Sequence, residues 1–376
     1  MNKFQRGRMR SLRLGVVGLL LALVASGASG VVRAQGETAK PAQTPTTKPA
    51  QSPVNPAPTP DKPAPAPERA APMTPAVSHP EPLVLETPDG KLYGTLEVPT
   101  RGKAPYPVVL IISGSGATDR DGNIGGLPGG NNSLKYLAEG LAAEGIASLR
   151  YDKRGVAESR AAMKDEASLS FETYIIDATL WAKRLREDRR FSQLFVAGHS
   201  EGSLIGMVAA ERAGADGYAS LEGPGRRIDV LLLEQVKPQF PPELYKQTED
   251  ILKSLAEGKT VTDFPPNLAP FFRQSVQPYL ISWLKYDPAV EIAKLKTPVL
   301  IVQGTSDWQV TAADAQALAR AKPDAKLVTV EGMNHVLKLT PADRAQQGPS
   351  YADPSLPVAD KLITEFVAFV KGIKKK

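Results

Sequence analysis

The sequence predicts an α/β protein, a mostly parallel sheet of eight strands with helices packed on both faces. Three observations lead there. Short unbroken apolar runs such as Val108–Ile112 and Pro298–Gln303 read as strands buried on two sides. Longer stretches with apolar residues at helical spacing lie between such runs, and the two patterns alternate along the chain. The third observation is Leu194-Phe195-Val196-Ala197-Gly198-His199-Ser200-Glu201-Gly202. There a strand stops at a glycine, and Leu204, Ile205 and Val208 continue at helical spacing.

The elements follow in order. Leu83–Thr87 and Lys91–Val98 flank the turn signal Pro88-Asp89-Gly90 and predict an antiparallel hairpin. Val108–Ile112 is the third strand and ends in Ser113-Gly114-Ser115-Gly116. Leu134, Leu137 and Leu141 then mark one face of a helix. Ile146–Tyr151 is the next strand and runs into Asp152-Lys153-Arg154-Gly155. Phe171, Tyr174, Ile175, Ala178, Trp181 and Leu185 define a strongly amphipathic helix before the strand that carries Ser200. Tyr218–Leu221, Pro298–Gln303 and Lys326–Val330 complete the set. Leu362, Ile363, Phe366, Phe369 and Val370 form the inner stripe of a closing helix.

One stretch breaks the alternation. Between about Arg227 and Ala293 there are helical signals and no strand, with prolines at 241, 242, 265 and 266. The stretch carries Phe240, Tyr245, Phe264, Phe271, Phe272, Tyr279, Trp283 and Tyr286. An insertion with its own small core and a helical cap can hold at once, and a cap over Ser200, its aromatics lining an acyl or aryl pocket, is the expected reading for about residues 227–293.

The ends of the chain differ in kind from the middle. Of 376 residues, 42% are hydrophobic, enough for one large domain. The formal charge of +6 invites a nucleic-acid reading, which fails on distribution. Lys3, Arg6, Arg8, Arg10, Arg13 and Arg33 lie in the first 34 residues, with no acid among them. Setting those six aside leaves 40 basic residues against 40 acidic ones. A basic start, an apolar stretch from Leu14 to Ala25 and Val32-Arg33-Ala34 predict a signal peptide over residues 1–34, cut before Gln35. The alternative is an uncleaved membrane anchor. An exported protein, periplasmic or secreted, is expected. Residues 35–80, dominated by Pro, Ala and Thr, predict a disordered tether ending past His79. The globular domain then runs from Glu81 to the end. With no cysteine in the chain, neither a disulfide nor a lipid-anchored cysteine is available.

The turn at Ser200 fits the G-x-S-x-G nucleophile elbow. Its glycines remove side chains that would collide where strand and helix nearly meet, and its serine projects from the sheet edge. A serine nucleophile needs a base, and histidine has a pKa near working pH. Of three histidines, His79 is in the tether. His199 adjoins the serine and is expected to point away from its hydroxyl. His335, in Gly332-Met333-Asn334-His335 after the last strand, remains. The acid that orients it is Asp307, in Gly304-Thr305-Ser306-Asp307-Trp308, with Glu222 as rival. Glu222 could instead pair with Arg226 or Arg227. Asp314 reads as part of a capping box with Thr311. Backbone amides at Ser115, with Gly116 next, and at Glu201 are the expected oxyanion hole. Asp119-Arg120-Asp121-Gly122-Asn123 resembles the start of a calcium loop but lacks its turn glycine and bidentate glutamate, and reads as an ordered loop beside the site. Asp152–Gly155 would brace the same rim through ion pairs.

With these residues in hand, the chain from about Glu81 resembles the α/β-hydrolase superfamily, and within it bacterial serine aminopeptidase-like and lysophospholipase-like enzymes. The segments that carry the resemblance are SGSGATDRDGN at 113–123, RYDKRG at 150–155, GHSEGS at 198–203, GTSDWQV at 304–310 and GMNH at 332–335. Ser113-Gly114 stands where many relatives have His-Gly. The resemblance implies the α/β-hydrolase fold and a triad of Ser200, Asp307 and His335. The function expected is hydrolysis of carboxylic esters through an acyl-enzyme, on a small-molecule acyl ester, without metal or organic cofactor. A peptidase or thioesterase is the alternative, with Glu201 or Glu222 as anchors for a peptide amino terminus. A non-catalytic binding protein is a third reading.

Overall fold

The computed structural model describes residues 78–374. The expected signal segment and most of the expected tether lie outside these residues. Eight strands form one sheet: β1 (Ser78–Thr87), β2 (Gly90–Pro99), β3 (Tyr106–Ile112), β4 (Ala147–Tyr151), β5 (Phe191–His199), β6 (Gly217–Leu221), β7 (Val299–Gly304) and β8 (Lys326–Val330). Their spatial order is β1-β2-β4-β3-β5-β6-β7-β8. The β1–β2 and β2–β4 pairs are antiparallel, and every later pair is parallel. The parallel strands need crossovers, and the helices that supply them cover both faces.

Strand β1 begins at Ser78, inside the stretch read from sequence as tether, and His79 pairs with Val98. That strand carries prolines at 80 and 82. They are tolerated because β1 is the edge of the sheet, where missing N–H donors cost no ladder partner.

Alternation within each strand feeds two cores. Val108, Leu110 and Ile112 of β3 join one apolar cluster, and Val109 and Ile111 join the other. The second cluster is closed by α1 (Ser133–Ala143) and by the last helix (Asp360–Gly372), which pack beside each other at Gly140 and Ile363. The first is closed by α2 (Phe171–Glu187) and α3 (Glu201–Ala213). Helix α2 starts cleanly because Ser170 caps it, accepting from the Thr173 amide.

Between β6 and β7 the described chain is helical and contains no strand: α4 (Ile228–Val236), α5 (Pro242–Ala256), α6 (Ala269–Phe272), α7 (Gln277–Trp283) and α8 (Pro288–Lys294). Most of its aromatics pack inward. Phe272, Tyr279 and Trp283 are buried in the first core, and Phe240, Phe264, Phe271 and Tyr286 pack against it. Phe171 of α2 is the bolt: its ring stacks on Trp283 at 5.3 Å and meets Tyr286 at 5.3 Å and Tyr279 at 6.1 Å. Beyond this insertion, α9 (Ala312–Ala321) opens on a capping box between Thr311 and Asp314, and α10 is the closing helix Asp360–Gly372.

Phe171→Ala should therefore cost about 3–5 kcal/mol by removing a fully buried ring that joins α2 to the insertion. Urea denaturation measures it; a loss under about 1 kcal/mol would show that the insertion is held by other contacts.

Candidate active site

The sheet lines up its chemistry along one edge. The carboxyl ends of β4, β3, β5, β6, β7 and β8 lie side by side in that order. They deliver Lys153, Ser115, Ser200, Glu222, Asp307 and His335 respectively. Open α/β sheets bind ligands at this edge, beyond the strands' carboxyl ends.

Ser200 sits between β5 and α3 at φ 56°, ψ −125°, a conformation that costs a non-glycine residue energy. The surroundings impose it. A β-carbon on Gly198 would come 2.0 Å from the Gly202 carbonyl oxygen, and one on Gly202 would come 2.5 Å from the Ile112 carbonyl oxygen. Strand and helix can cross this closely only with glycine at both positions. The Ser200 amide donates to Leu221 of the neighbouring strand at 3.0 Å, which fixes the turn to the sheet.

His335 and Asp307 meet directly. His335 Nδ1 donates to Asp307 Oδ2 at 2.7 Å. The other oxygen of Asp307 accepts from the amides of Gln309 at 2.7 Å and Val310 at 3.0 Å. Burial opposes the ionised form of Asp307. The His335 ring, the Glu222 carboxyl and the Val310 amide outweigh it and hold the group below the ordinary aspartate range. With Nδ1–H committed to Asp307, a neutral His335 turns an unprotonated Nε2 away from the acid. The loop carrying His335 folds back over β7, with the Ser306 amide donating to Met333 at 3.0 Å. Ser200, His335, Ser115 and Gly114 line one cleft of about 360 Å³, with Gln309 and Tyr351 on its far wall.

Glu222 takes a different place from the one read in the sequence. Arg226 pairs with Asp314 and Glu234, and Arg227 with Asp229. Glu222 turns inward, fully buried, and accepts from the Gly304 amide at 2.7 Å and Gln303 Nε2 at 2.6 Å. Burial, and then the adjacent Asp307 charge, raise its carboxyl well above the ordinary glutamate range.

His199 is also closer to the chemistry than expected. Its ring lines the same cleft as Ser200 and lies 4.9 Å from that of His335. Its Nε2–H donates to the His335 carbonyl at 2.6 Å, which pins the main chain of the loop. Burial, with the His335 ring second, lowers its pKa to about 3, so it is neutral at working pH.

The glycine loop after β3 borders the serine. A β-carbon on Gly114 would lie 3.2 Å from Ser200 Cβ. Among the described residues, the amides of Ser115 and Glu201 donate to no protein acceptor. The Glu201 side chain is buried, paired with Lys153 at 2.8 Å and accepting from the Tyr279 hydroxyl. The Asp152–Gly155 segment does form ion pairs, Asp152 with Arg120 and Arg154 with Asp177, but Lys153 runs into the interior rather than along the rim. The loop at Asp119–Asn123 is ordered by Asp119, which accepts from the Asp121 and Asn123 amides at 2.9 and 2.8 Å. Among the described residues no cluster of His, Asp and Glu could hold a metal ion. A second cleft of about 490 Å³ adjoins the first, bordered by Gly116, Glu201, Met163, Tyr174, Val276 and Tyr279. Of the insertion's aromatics, Tyr279 is the one that borders either cleft.

Comparison with known proteins fits this architecture. A family model described as serine aminopeptidase, S33, matches residues 126–291. Esterase EstD of Thermotoga maritima is 30% identical over 266 residues, which cover 68% of this chain and 62% of EstD. The chain thus spans under two thirds of that relative's length. Among solved structures, a Pyrococcus furiosus esterase, Pf2001, superposes with a TM-score of 0.52 at 15% identity, over 82% of this chain and 96% of that one. Est1E of Butyrivibrio proteoclasticus with ferulic acid bound superposes with a TM-score of 0.50 at 18% identity, over 77% and 96%. This chain has the α/β-hydrolase fold. Across these structures the likeness is one of fold. The chain's eight-stranded sheet, antiparallel only in the two pairs that involve β2, is the fold the sequence predicts.

Glu222 generates a pH signature. The unfolded chain ionises it above its ordinary value of 4.5, and the fold raises that value. Its stabilising effect is present below pH 4.5 and is lost as pH rises toward the folded pKa. Glu222→Gln cannot titrate. Its stability relative to wild type should rise with pH above 4.5, by up to about 1.4 kcal/mol per pH unit, in urea titrations from pH 4 to 8. A difference independent of pH would mean that Glu222 is ionised in the fold.

Proposed function

We propose that this protein is a serine carboxylic-ester hydrolase that works through an acyl-enzyme. The observation that carries the reading is the His335–Asp307 hydrogen bond in the same cleft as Ser200. In the proposed reaction His335 Nε2 takes the hydroxyl proton as Ser200 Oγ attacks the ester carbonyl. The negative charge that develops on the carbonyl oxygen is received by the Ser115 and Glu201 amides. As the tetrahedral intermediate collapses, the C–O bond to the alcohol breaks and His335 hands its proton to the departing alkoxide. Water then attacks the acyl-serine, His335 again accepting and returning the proton. Asp307 stays ionised throughout and offsets the imidazolium charge. The reaction draws on side chains and backbone amides alone, with a small-molecule acyl ester as substrate.

Two further observations favour the ester reading over the aminopeptidase one. An aminopeptidase needs a carboxylate to receive the substrate's ammonium group. Glu201 and Glu222, the candidates in the sequence, are both committed to internal partners. The relative EstD and the Pf2001 structure are described as esterases. The basic and apolar start of the chain supports export, with the domain acting in the periplasm or outside the cell.

The purified protein should hydrolyse p-nitrophenyl butyrate. Ser200→Ala and Asp307→Asn should each lower kcat by about 10³-fold or more, with folding unchanged by circular dichroism. Equal turnover by wild type and Ser200→Ala would refute the serine mechanism.

A further inference from the structure

The reaction proposed above does not use Lys153, yet this residue is the least expected feature of the site. Its side chain is fully buried at the carboxyl end of β4. Nζ donates to the Gly114 carbonyl, pairs with Glu201 Oε2 at 2.8 Å, and lies 5.0 Å from the centre of the Tyr174 ring. Tyr279 of the insertion donates to the other Glu201 oxygen. A charge taken wholly out of water survives only with such partners. The choice of partners is what matters. Gly114 precedes Ser115, and Glu201 follows the nucleophile.

A trans peptide is planar, with its C=O and N–H pointing in opposite directions. The Gly114 carbonyl and the Ser115 amide belong to one such plane. By holding the carbonyl on the interior side, Lys153 turns the Ser115 N–H toward the cleft. Glycines at 114 and 116 leave the loop no side-chain means of resisting rotation of that plane. The loop is held by two further bonds: the Thr118 hydroxyl donates to the Ser115 carbonyl at 2.8 Å, and the Ser113 hydroxyl to the Thr118 carbonyl at 3.2 Å. The Ser115 amide is left without a protein acceptor among the described residues. The same ammonium anchors Glu201, whose own amide is the second donor.

We propose that Lys153 is a positioning residue for the oxyanion hole, one buried ammonium that sets the Gly114–Ser115 peptide plane and the start of α3 at the same time. The proposal rests on the ester-hydrolase reading for its kinetic consequence. Donors aimed at a developing oxyanion act in the transition state and little in the ground state. Loss of the aim therefore lowers kcat more than it raises KM.

The test is Lys153→Met in the full chain, measured beside Ser200→Ala. With p-nitrophenyl butyrate, kcat should fall about 30-fold or more while KM changes by less than about threefold. Affinity for butylboronic acid, which forms a tetrahedral adduct on a serine, should fall with kcat. A folded variant with wild-type kcat, or one changed only in thermal midpoint, would overturn the proposal. Should Lys153→Met not fold, Lys153→Met with Glu201→Gln leaves no unpaired buried charge and is read the same way. Ser200→Ala separates the two claims. If it turns over ester as fast as wild type, the hydrolase reading fails, and the positioning claim is decided by a crystal structure of the Lys153 variant. A rotated Gly114–Ser115 peptide would support it, and an unmoved one would overturn it.

Discussion

The site depends on how closely β5 and α3 cross at Ser200. Gly198 and Gly202 allow backbone to approach backbone at distances no side chain would permit. Where these backbones meet, Ser200 takes its positive φ, and the Glu201 amide has no protein acceptor among the described residues. The strain is supported rather than relieved. The Ser200 amide is tied to Leu221, and α3 is buried from Glu201 through Ala210, so the turn has nowhere to relax.

Around this fixed point, each flanking strand contributes one loop, and the loops are secured to one another by polar contacts inside the protein. His199 holds the His335 main chain from the nucleophile's side, and Asp307 holds the ring from the other. Glu222 stands behind Asp307, bonded to the β7 backbone, and the two carboxyls are shifted in opposite directions, Glu222 up and Asp307 down. On the opposite flank, Lys153 joins the β3 loop to α3, and Tyr279 extends that linkage into the helical insertion. Such a network keeps donors and acceptors in place before any substrate arrives, which is the condition for electrostatic stabilisation of a transition state.

The fold was legible in the sequence because its signals are periodic and local. Runs such as Val108–Ile112 can be read only as buried strands once helical stretches alternate with them, and all eight appear with ends shifted by a few residues. Strand β1 is the exception at its start, where prolines masked an edge strand. Ser200 was legible from glycine spacing, and His335 from the scarcity of histidine. Long-range pairings of charged residues were not legible. Nothing local distinguishes Lys153, in a run of charged residues, from a solvated lysine; its partner Glu201 is 48 positions away. Glu222 lies next to two arginines in the chain, yet both arginines turn to other acids. The aromatics of the insertion illustrate the same limit. Composition reveals that they are there, but only packing shows that Phe171 clamps three of them and that Tyr279 reaches the edge of a cleft.

The account turns on a covalent bond at one atom. Quenching the reaction with a slowly deacylated p-nitrophenyl ester and mapping the protein by peptide mass spectrometry reads that bond directly. The account predicts one acyl group on the peptide that contains Ser200, formed with a burst of one p-nitrophenol per protein molecule. Acylation at another residue, or steady turnover with no acylated peptide, would contradict it.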